Sequence, residues 1–598
     1  MQSELTDYLK INGVSQLKKV PNSNKITYVH RKSGLPQLYE FDLKTRKERP
    51  FVRTDGRVLS AHHSTNGEYS IIEVDYKGNE KKQIFLYKRD TQSLERLAYS
   101  LEYLHHFGSF SPDGTKIIYT TYQENDVDSK VYLIDLTTRE KELIVTWDGS
   151  CNVVKWLKNG KDMVIQVQET NLDTSYWILN IEDLSKRRLG SMDEVARYQS
   201  IVFTKEQKEG YLLSDSNSEF MQVCQFSLNN HQKISPCITS IPWDIEEVKL
   251  SLDETKLALS VNEGGTSTIY MYHVADSSLE EITDLPMGVK SNISWLTNDS
   301  FLFLLKGPQV PGEVYTYHIS QCNVSRITDV GYLDASKVRR YNPTMYTFPS
   351  FDGVEVPYFY YAKHANPTSA LIYVHGGPEN LSRVDFNPVL QALVDAGVAV
   401  IVPNIRGSKG FGRTYLELDD RRKRLDAAKD IEALAMVAFE KHGIDQSKLG
   451  IMGRSYGGFI VNTVSAYYPH LWAAAVSIVG ISHIGTFLEK TGSYRRRSRE
   501  HEYGFLSEDI DFFDEISPIN HVEKVNAPLL LCHGRHDSRV AVEESIQFQE
   551  KLTDLGKEVS IIISEEDGHQ MGGATCHINS YVSMQTKIVE FLDQHLND

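Results

Sequence analysis

Cysteine is scarce and scattered, six residues in 598: Cys151, Cys224, Cys237, Cys322, Cys532 and Cys576. None forms a Cys-x-x-Cys pair, which argues against a disulfide framework and against a cysteine-built zinc site. Free thiols in a reducing, cytoplasmic setting fit better. No apolar run reaches membrane-spanning length. The opening residues, Met1-Gln2-Ser3-Glu4-Leu5-Thr6-Asp7, have neither the basic segment nor the apolar segment of a secretory signal. Positive charge is in deficit, with 64 Lys and Arg against 80 Asp and Glu and a net charge of −16. No long basic run relieves it, so neither nucleic acid nor membrane is expected as a partner. Self-association is left open. The length is too great for one core, so at least two domains are expected.

The first half repeats. From about residue 21 to 330 a polar turn, a strand, a polar gap and a second strand recur. The second strands include QLYEFDL, QIFLYKR, KVYLIDL and TIYMYHV. Equivalent positions in successive repeats are Tyr39, Phe85, Tyr132, Trp177, Cys224, Tyr270 and Tyr315, spaced 45 to 47 residues apart. An all-strand period near 45 predicts a β-propeller with one four-stranded sheet per repeat, here a seven-bladed one. A lone blade cannot bury both faces, whereas a ring of blades can. The repeated aromatic is therefore expected to fill the seam between blades. The fifth repeat is the weakest, because Cys224 replaces the aromatic and its turn lacks Asn-Gly or Asp-Gly. Residues 1–20 fall outside the period as an N-terminal segment.

Residues 331–598 have a different texture. Extended runs alternate with helical ones, the pattern of a parallel sheet flanked by helices. Strands are expected at 354–361, 370–374, 398–402, 449–452, 473–479, 528–532 and 559–563. Helices are expected at 426–442 and 581–595. This is the element order of an α/β-hydrolase.

The fourth of those strands runs into Gly453-Arg454-Ser455-Tyr456-Gly457-Gly458. Gly-x-Ser-x-Gly between strand and helix makes a sharp turn that presents its serine at the sheet edge. Alone the motif is common; its company makes it specific. The strand ending at Cys532 leads to Asp537, and the strand ending at Ile563 leads to His569. Serine, acid and histidine thus follow three strands in the order this architecture requires. A serine hydroxyl needs a base within reach because it is weakly nucleophilic when protonated. Asp567 and Glu566 compete for the acid position. His533, His536 and His577 compete for the base position. Asp537 and His569 are favoured because each follows the end of its own strand. His375-Gly376-Gly377-Pro378 follows another strand, where small residues let backbone N–H groups approach a developing oxyanion. Tyr456 N–H and that of Gly376 or Gly377 are the expected donors. Arg406, in the glycine-rich loop Asn404–Gly412, is a candidate for substrate binding or for a structural pair. The basic cluster Arg495–Arg499 reads first as a solvated helix face or subunit contact, with a substrate carboxylate as the alternative.

Together these motifs resemble the prolyl oligopeptidase family of serine peptidases, nearest its acylaminoacyl-peptidase and dipeptidyl-aminopeptidase-like members. The matches are His375-Gly376-Gly377-Pro378, Asn404-Ile405-Arg406-Gly407-Ser408, Gly453–Gly458, Ser517-Pro518-Ile519, His533-Gly534 with Asp537 and Val540, and Gly568-His569. The resemblance implies Ser455, Asp537 and His569 as a triad beneath a propeller that admits short peptides. One departure is Asp567-Gly568-His569-Gln570, where the family usually has Glu-Gly-His-Gly. The expected activity is amide hydrolysis in short peptides or N-acylated amino acids, without metal or cofactor. The alternatives are an esterase or amidase acting on a peptide-like small molecule, and an inactive propeller that only binds.

Overall fold

The computed structural model describes residues 2–123, 126–230, 233–331, 338–573 and 575–597. Seven four-stranded antiparallel sheets, each built from consecutive strands, form the propeller. They span Ser15–Val52, Arg57–Ala98, Tyr103–Trp147, Ser150–Leu189, Tyr198–Ile238, Ile245–Ile282 and Val289–Arg326. The weak fifth repeat is a complete blade, and Cys224 is buried in its seam. All seven repeated positions lie on third strands and fall in apolar clusters shared with the neighbouring blade. Packing is thus their function, as stacked blades require. The first and last blades meet through a cluster including Leu17, Tyr28, Leu302 and Leu304. Among the described residues no strand is exchanged between them.

The segment 1–20 does not lie wholly outside the ring. Strand Ser15–Lys19 is the first strand of blade one and pairs with Lys25–Ser33. This strand precedes the polar turn at residues 21–24, the first turn of the sequence period. Helix Gln2–Lys10 lies elsewhere. Its Leu5, Tyr8 and Leu9 join an apolar cluster of the second domain, and the Tyr8 hydroxyl donates to the Arg339 carbonyl at 2.6 Å. The junction expected at 330/331 abuts residues 332–337, which lie outside the described residues.

The second domain is built on one eight-stranded sheet. Its strands are β1 (Thr344–Pro349), β2 (Glu355–Tyr361), β3 (Ala370–Val374), β4 (Ala399–Pro403), β5 (Leu449–Arg454), β6 (Ala474–Ile478), β7 (Leu529–Gly534) and β8 (Val559–Ser564). The spatial order is β1-β2-β4-β3-β5-β6-β7-β8, antiparallel up to β4 and parallel beyond it. Alternate residues of a strand face opposite sides. Ala370 and Ile372 pack under helices Asp426–Glu440 and Tyr456–Tyr467, whereas Leu371 packs under Pro388–Asp395 and Ile578–Leu596. Parallel strands end at one edge, and loops at that edge carry the chemistry. The propeller sits over this edge. Glu80, Asn171 and Glu246 of the propeller contact Arg539, Glu379 and Arg383 of the sheet domain. Among the described residues no helix is long and apolar enough to cross a membrane.

Candidate active site

Strand β5 delivers the serine. Ser455 has φ 57° and ψ −117°, a strained backbone for a residue with a side chain. The turn holds because its neighbours are bare. A Cβ on Gly453 would lie 2.3 Å from the Gly457 carbonyl oxygen, and one on Gly457 would lie 2.2 Å from that of Val374. Ser455 N–H donates to the Ile478 carbonyl of β6 at 2.8 Å, which pins the turn to the next strand. Tyr456 opens the following helix. Its N–H is therefore among the helix-end donors that no helical carbonyl can satisfy. Gly376 approaches the turn from β3. A Cβ on Gly376 would lie 2.9 Å from the Arg454 carbonyl oxygen and 3.2 Å from Ser455 Cβ, whereas Gly377 crowds only Glu379 and Asn380.

The loops after β7 and β8 meet. His569 Nδ1 and Asp537 Oδ2 are 2.7 Å apart, with both side chains buried. Asp537 Oδ1 accepts the backbone N–H groups of Arg539 at 2.8 Å and Val540 at 2.9 Å. Burial pushes the Asp537 carboxyl up, but the charge on His569 and hydrogen bonds from His533 and His569 outweigh it and hold it far below the carboxylate range. Burial pushes His569 below its ordinary value of 6.5, although Asp537 pulls the other way.

The competitors are engaged elsewhere. His533 bonds Ser545 Oγ and the Val540 carbonyl, although Asp537 Oδ2 also lies 3.4 Å from it. His536 bonds the Glu565 carbonyl, and His577 accepts from Asn579 N–H at the start of the last helix. Asp567 accepts from the Ser564 hydroxyl, and Glu566 pairs with Lys77 of the propeller.

Ser455 and His569 line one cavity of about 620 Å³, together with Gly376, Gly377, Phe487 and Arg495. Among the described residues no hydrogen bond joins Ser455 Oγ to His569 Nε2. Arg454, the residue before the serine, ties the serine turn to the histidine loop. Its guanidinium donates to the His569 carbonyl at 3.0 Å and also to the Met571 carbonyl. Such nucleophile–base bonds often tighten only once substrate is bound. Sequence reasoning passed over Arg454. Its place as a variable residue of Gly-x-Ser-x-Gly gave no sign that it fastens the histidine loop to the serine turn.

Arg406 belongs to the structure, not to the cavity. It is 2 % exposed, with Nη1 at 2.9 Å from Asp352 and Nη2 at 2.8 Å from Asp430. Two carboxylates leave its fork nothing for a substrate, so the substrate-binding expectation is withdrawn. A second buried arginine, missed in the sequence, braces the turn from behind. Arg424 bonds Asp419 at 2.5 Å and the Glu502 carbonyl at 2.7 Å. Asp419 in turn accepts the Tyr456 hydroxyl at 2.8 Å. Removing one member of a buried ion pair strands the other. Arg424→Met is therefore expected to destabilise the sheet domain by about 3–5 kcal/mol, read from its urea unfolding midpoint.

The basic cluster is not a plain solvated face. Helix Ser493–Tyr503 carries it along the propeller, with the Tyr494 ring 4.5 Å from Tyr122 of blade three. Arg495 and Arg499 line both the serine cavity and a second cavity, of about 610 Å³, on the propeller side.

The chain thus has a propeller-capped α/β-hydrolase fold, with a strained serine on a strand-to-helix turn and a buried Asp–His pair lining one cavity. Residues 384–598 match the sequence profile of the prolyl oligopeptidase family. The acylamino-acid-releasing enzyme 1 of Oryza sativa subsp. japonica is 27% identical over 247 residues, 39% of this chain and 32% of that protein. The dual function macrocyclase-peptidase of Amanita bisporigera is 24% identical over 581 residues, 87% of this chain and 78% of that one. A solved prolyl endopeptidase superposes with a TM-score of 0.88 at 17% identity, covering 100% of this chain and 92% of the other. The chain spans about a third of the length of the plant enzymes it matches. The family likeness thus rests on a prolyl oligopeptidase family domain in the second half of the chain.

Proposed function

We propose that this chain is a serine peptidase that hydrolyses amide bonds of short peptides or N-acylated amino acids through an acyl-enzyme. The observation that carries the reading is the buried 2.7 Å contact between Asp537 and His569, in a loop that lines the serine's own cavity. Ser455 Oγ attacks the scissile carbonyl as His569 Nε2 takes its proton. Asp537 holds Nδ1–H and so fixes the tautomer with a free Nε2. The tetrahedral oxyanion is received by the N–H groups of Tyr456 and Gly376, Gly376 being preferred because its backbone abuts Ser455. His569 then protonates the leaving amine, and water releases the acyl group by the same steps reversed. Ile481, Phe487, Tyr503 and Val540 line the same cavity and form an apolar wall for a substrate side chain. The propeller over the sheet edge acts as a size filter. Domain limits of about 15–330 for the propeller and 331–598 for the hydrolase go with this reading.

The test is a fluorophosphonate probe followed by a substrate panel. The expected result is a covalent adduct on Ser455 and cleavage of acyl-amino-acid or short peptide amides. An unlabelled Ser455 would return the chain to the reading of an inactive binding propeller. Turnover of simple esters alone would make it an esterase.

The acid limb of the pH profile offers a second check. The base acts only when neutral, and burial lowers the His569 pKa. The neutral form therefore persists to lower pH than for a free imidazole. The acid limb of kcat/KM is expected to have an apparent pKa below the 6.5 of a free imidazole.

A further inference from the structure

Helix Ser493–Tyr503 forms the wall between the serine cavity and the second cavity. The arginines near that wall are nearly all committed. Arg497 pairs with Glu169 of the propeller at 2.9 Å, and Arg499 pairs with Glu502 at 2.7 Å. Arg539 pairs with Glu80 through two bonds of 2.6 and 2.7 Å. Arg496 donates to the carbonyls of Leu488, Glu489 and Thr491. Arg57 closes on Asp75. The same pairs use up the acids of the second cavity, since Asp75, Glu80 and Glu169 are its acidic lining residues.

Arg495 is different. Among the described residues its guanidinium has neither an ion pair nor a side-chain hydrogen bond. It lies 5.7 Å from the ring of its own neighbour Tyr494. Burial pushes its pKa down, helped by the charges of Arg539 and Arg499 and opposed by Tyr494 and Glu80. Arg499 and Arg539 each have a carboxylate bonded to them, whereas Arg495 has none and keeps its donors for an anion. A carboxylate fits the planar fork of an arginine through two parallel hydrogen bonds. Lys409 also lines the serine cavity, but not the second one.

We propose that Arg495 binds a carboxylate of the substrate, either its free C-terminus or an acidic side chain, and so selects anionic short peptides. The inference rests on the peptidase reading only for calling the ligand a substrate, and its test needs no turnover. The full-length Ser455→Ala protein is titrated by calorimetry with N-acetyl-trialanine, with its C-terminal amide, and with an amidated tripeptide bearing a central glutamate. A charge-assisted pair predicts that one of the two carboxylate peptides binds about 10- to 100-fold more tightly than the neutral amide. Which of them gains the advantage names the source of the carboxylate. Adding Arg495→Gln should bring the ratio near one, and Arg495→Lys should restore part of it. If the glutamine variant does not fold, salt serves instead, and the ratio in the Ser455→Ala protein should fall as sodium chloride rises. Equal affinities for charged and neutral peptides would overturn the proposal. So would an advantage that survives Arg495→Gln, which would point to Lys409, or no measurable binding of any of the three. Fluorophosphonate labelling of the native chain judges the peptidase reading separately.

Discussion

Replacing Ser455 by alanine is expected to lower kcat for a cleaved peptide amide by about 10⁵- to 10⁶-fold. The size follows from what the variant removes. Without the hydroxyl there is no acyl-enzyme, and His569 and Asp537 have no nucleophile to activate. Only the oxyanion donors and the binding surface remain, and in comparable sites these still give a residual acceleration of about 10³–10⁴ over water. Peptide affinity should change little, because the cavity walls are intact. The fold should also survive. Alanine keeps the Cβ that already sits at φ 57°, and the turn is held by main-chain bonds and by the bare Gly453 and Gly457. Steady-state kinetics on a purified variant, with the urea midpoint as control, measures both halves. A loss of less than about 100-fold at an unchanged midpoint would mean that another group attacks the carbonyl.

The pieces of the site that the sequence disclosed are those carried by local rules. Gly453 and Gly457 are readable because a strand-to-helix turn tolerates no Cβ there, whatever the rest of the chain does. Asp537 and His569 are readable because each follows a strand, and strand order in this architecture fixes which edge they reach. The blades are readable because one unit is repeated seven times, so that Cys224 in a weak repeat is rescued by the period on either side. The first strand, Ser15–Lys19, was lost for a geometric reason, since it lies before the first turn that marks the period. The remaining gaps are long-range. Arg406 could not be assigned from its loop, because Asp352 and Asp430 reach it from separate stretches of chain. Arg424 meets Glu502 across 78 residues of sequence. The helix Ser493–Tyr503 looked solvated because it bears no apolar stripe. It lies instead between two cavities, where Glu169 and Glu502 answer its charges. A polar segment whose partners are distant has no signature in one sequence.

The second large effect is expected at Asp537, and it is a matter of one proton's position. Asparagine has the shape of aspartate and can keep its oxygen on the Arg539 and Val540 N–H groups, at 2.8 and 2.9 Å in the native chain. Its amide nitrogen then faces His569 Nδ1, where the carboxylate oxygen stood at 2.7 Å. An NH₂ group can only donate, so Nδ1 must accept and the ring proton moves to Nε2. A proton on Nε2 blocks the atom that has to take one from Ser455. The imidazolium formed during attack also loses its counter-charge. Asp537→Asn is therefore expected to lower kcat by about 10⁴-fold, with a small change in KM. His569 should also titrate lower still, since Asp537 is what pulls its pKa upward against burial. The tautomer itself is visible by ¹⁵N NMR of the imidazole, which separates this mechanism from simple misfolding. The same substitution at Asp567, whose carboxylate is held by Ser564, should cost less than about 10-fold. If the two results were exchanged, the acid would be Asp567, and the buried 2.7 Å contact would be structural.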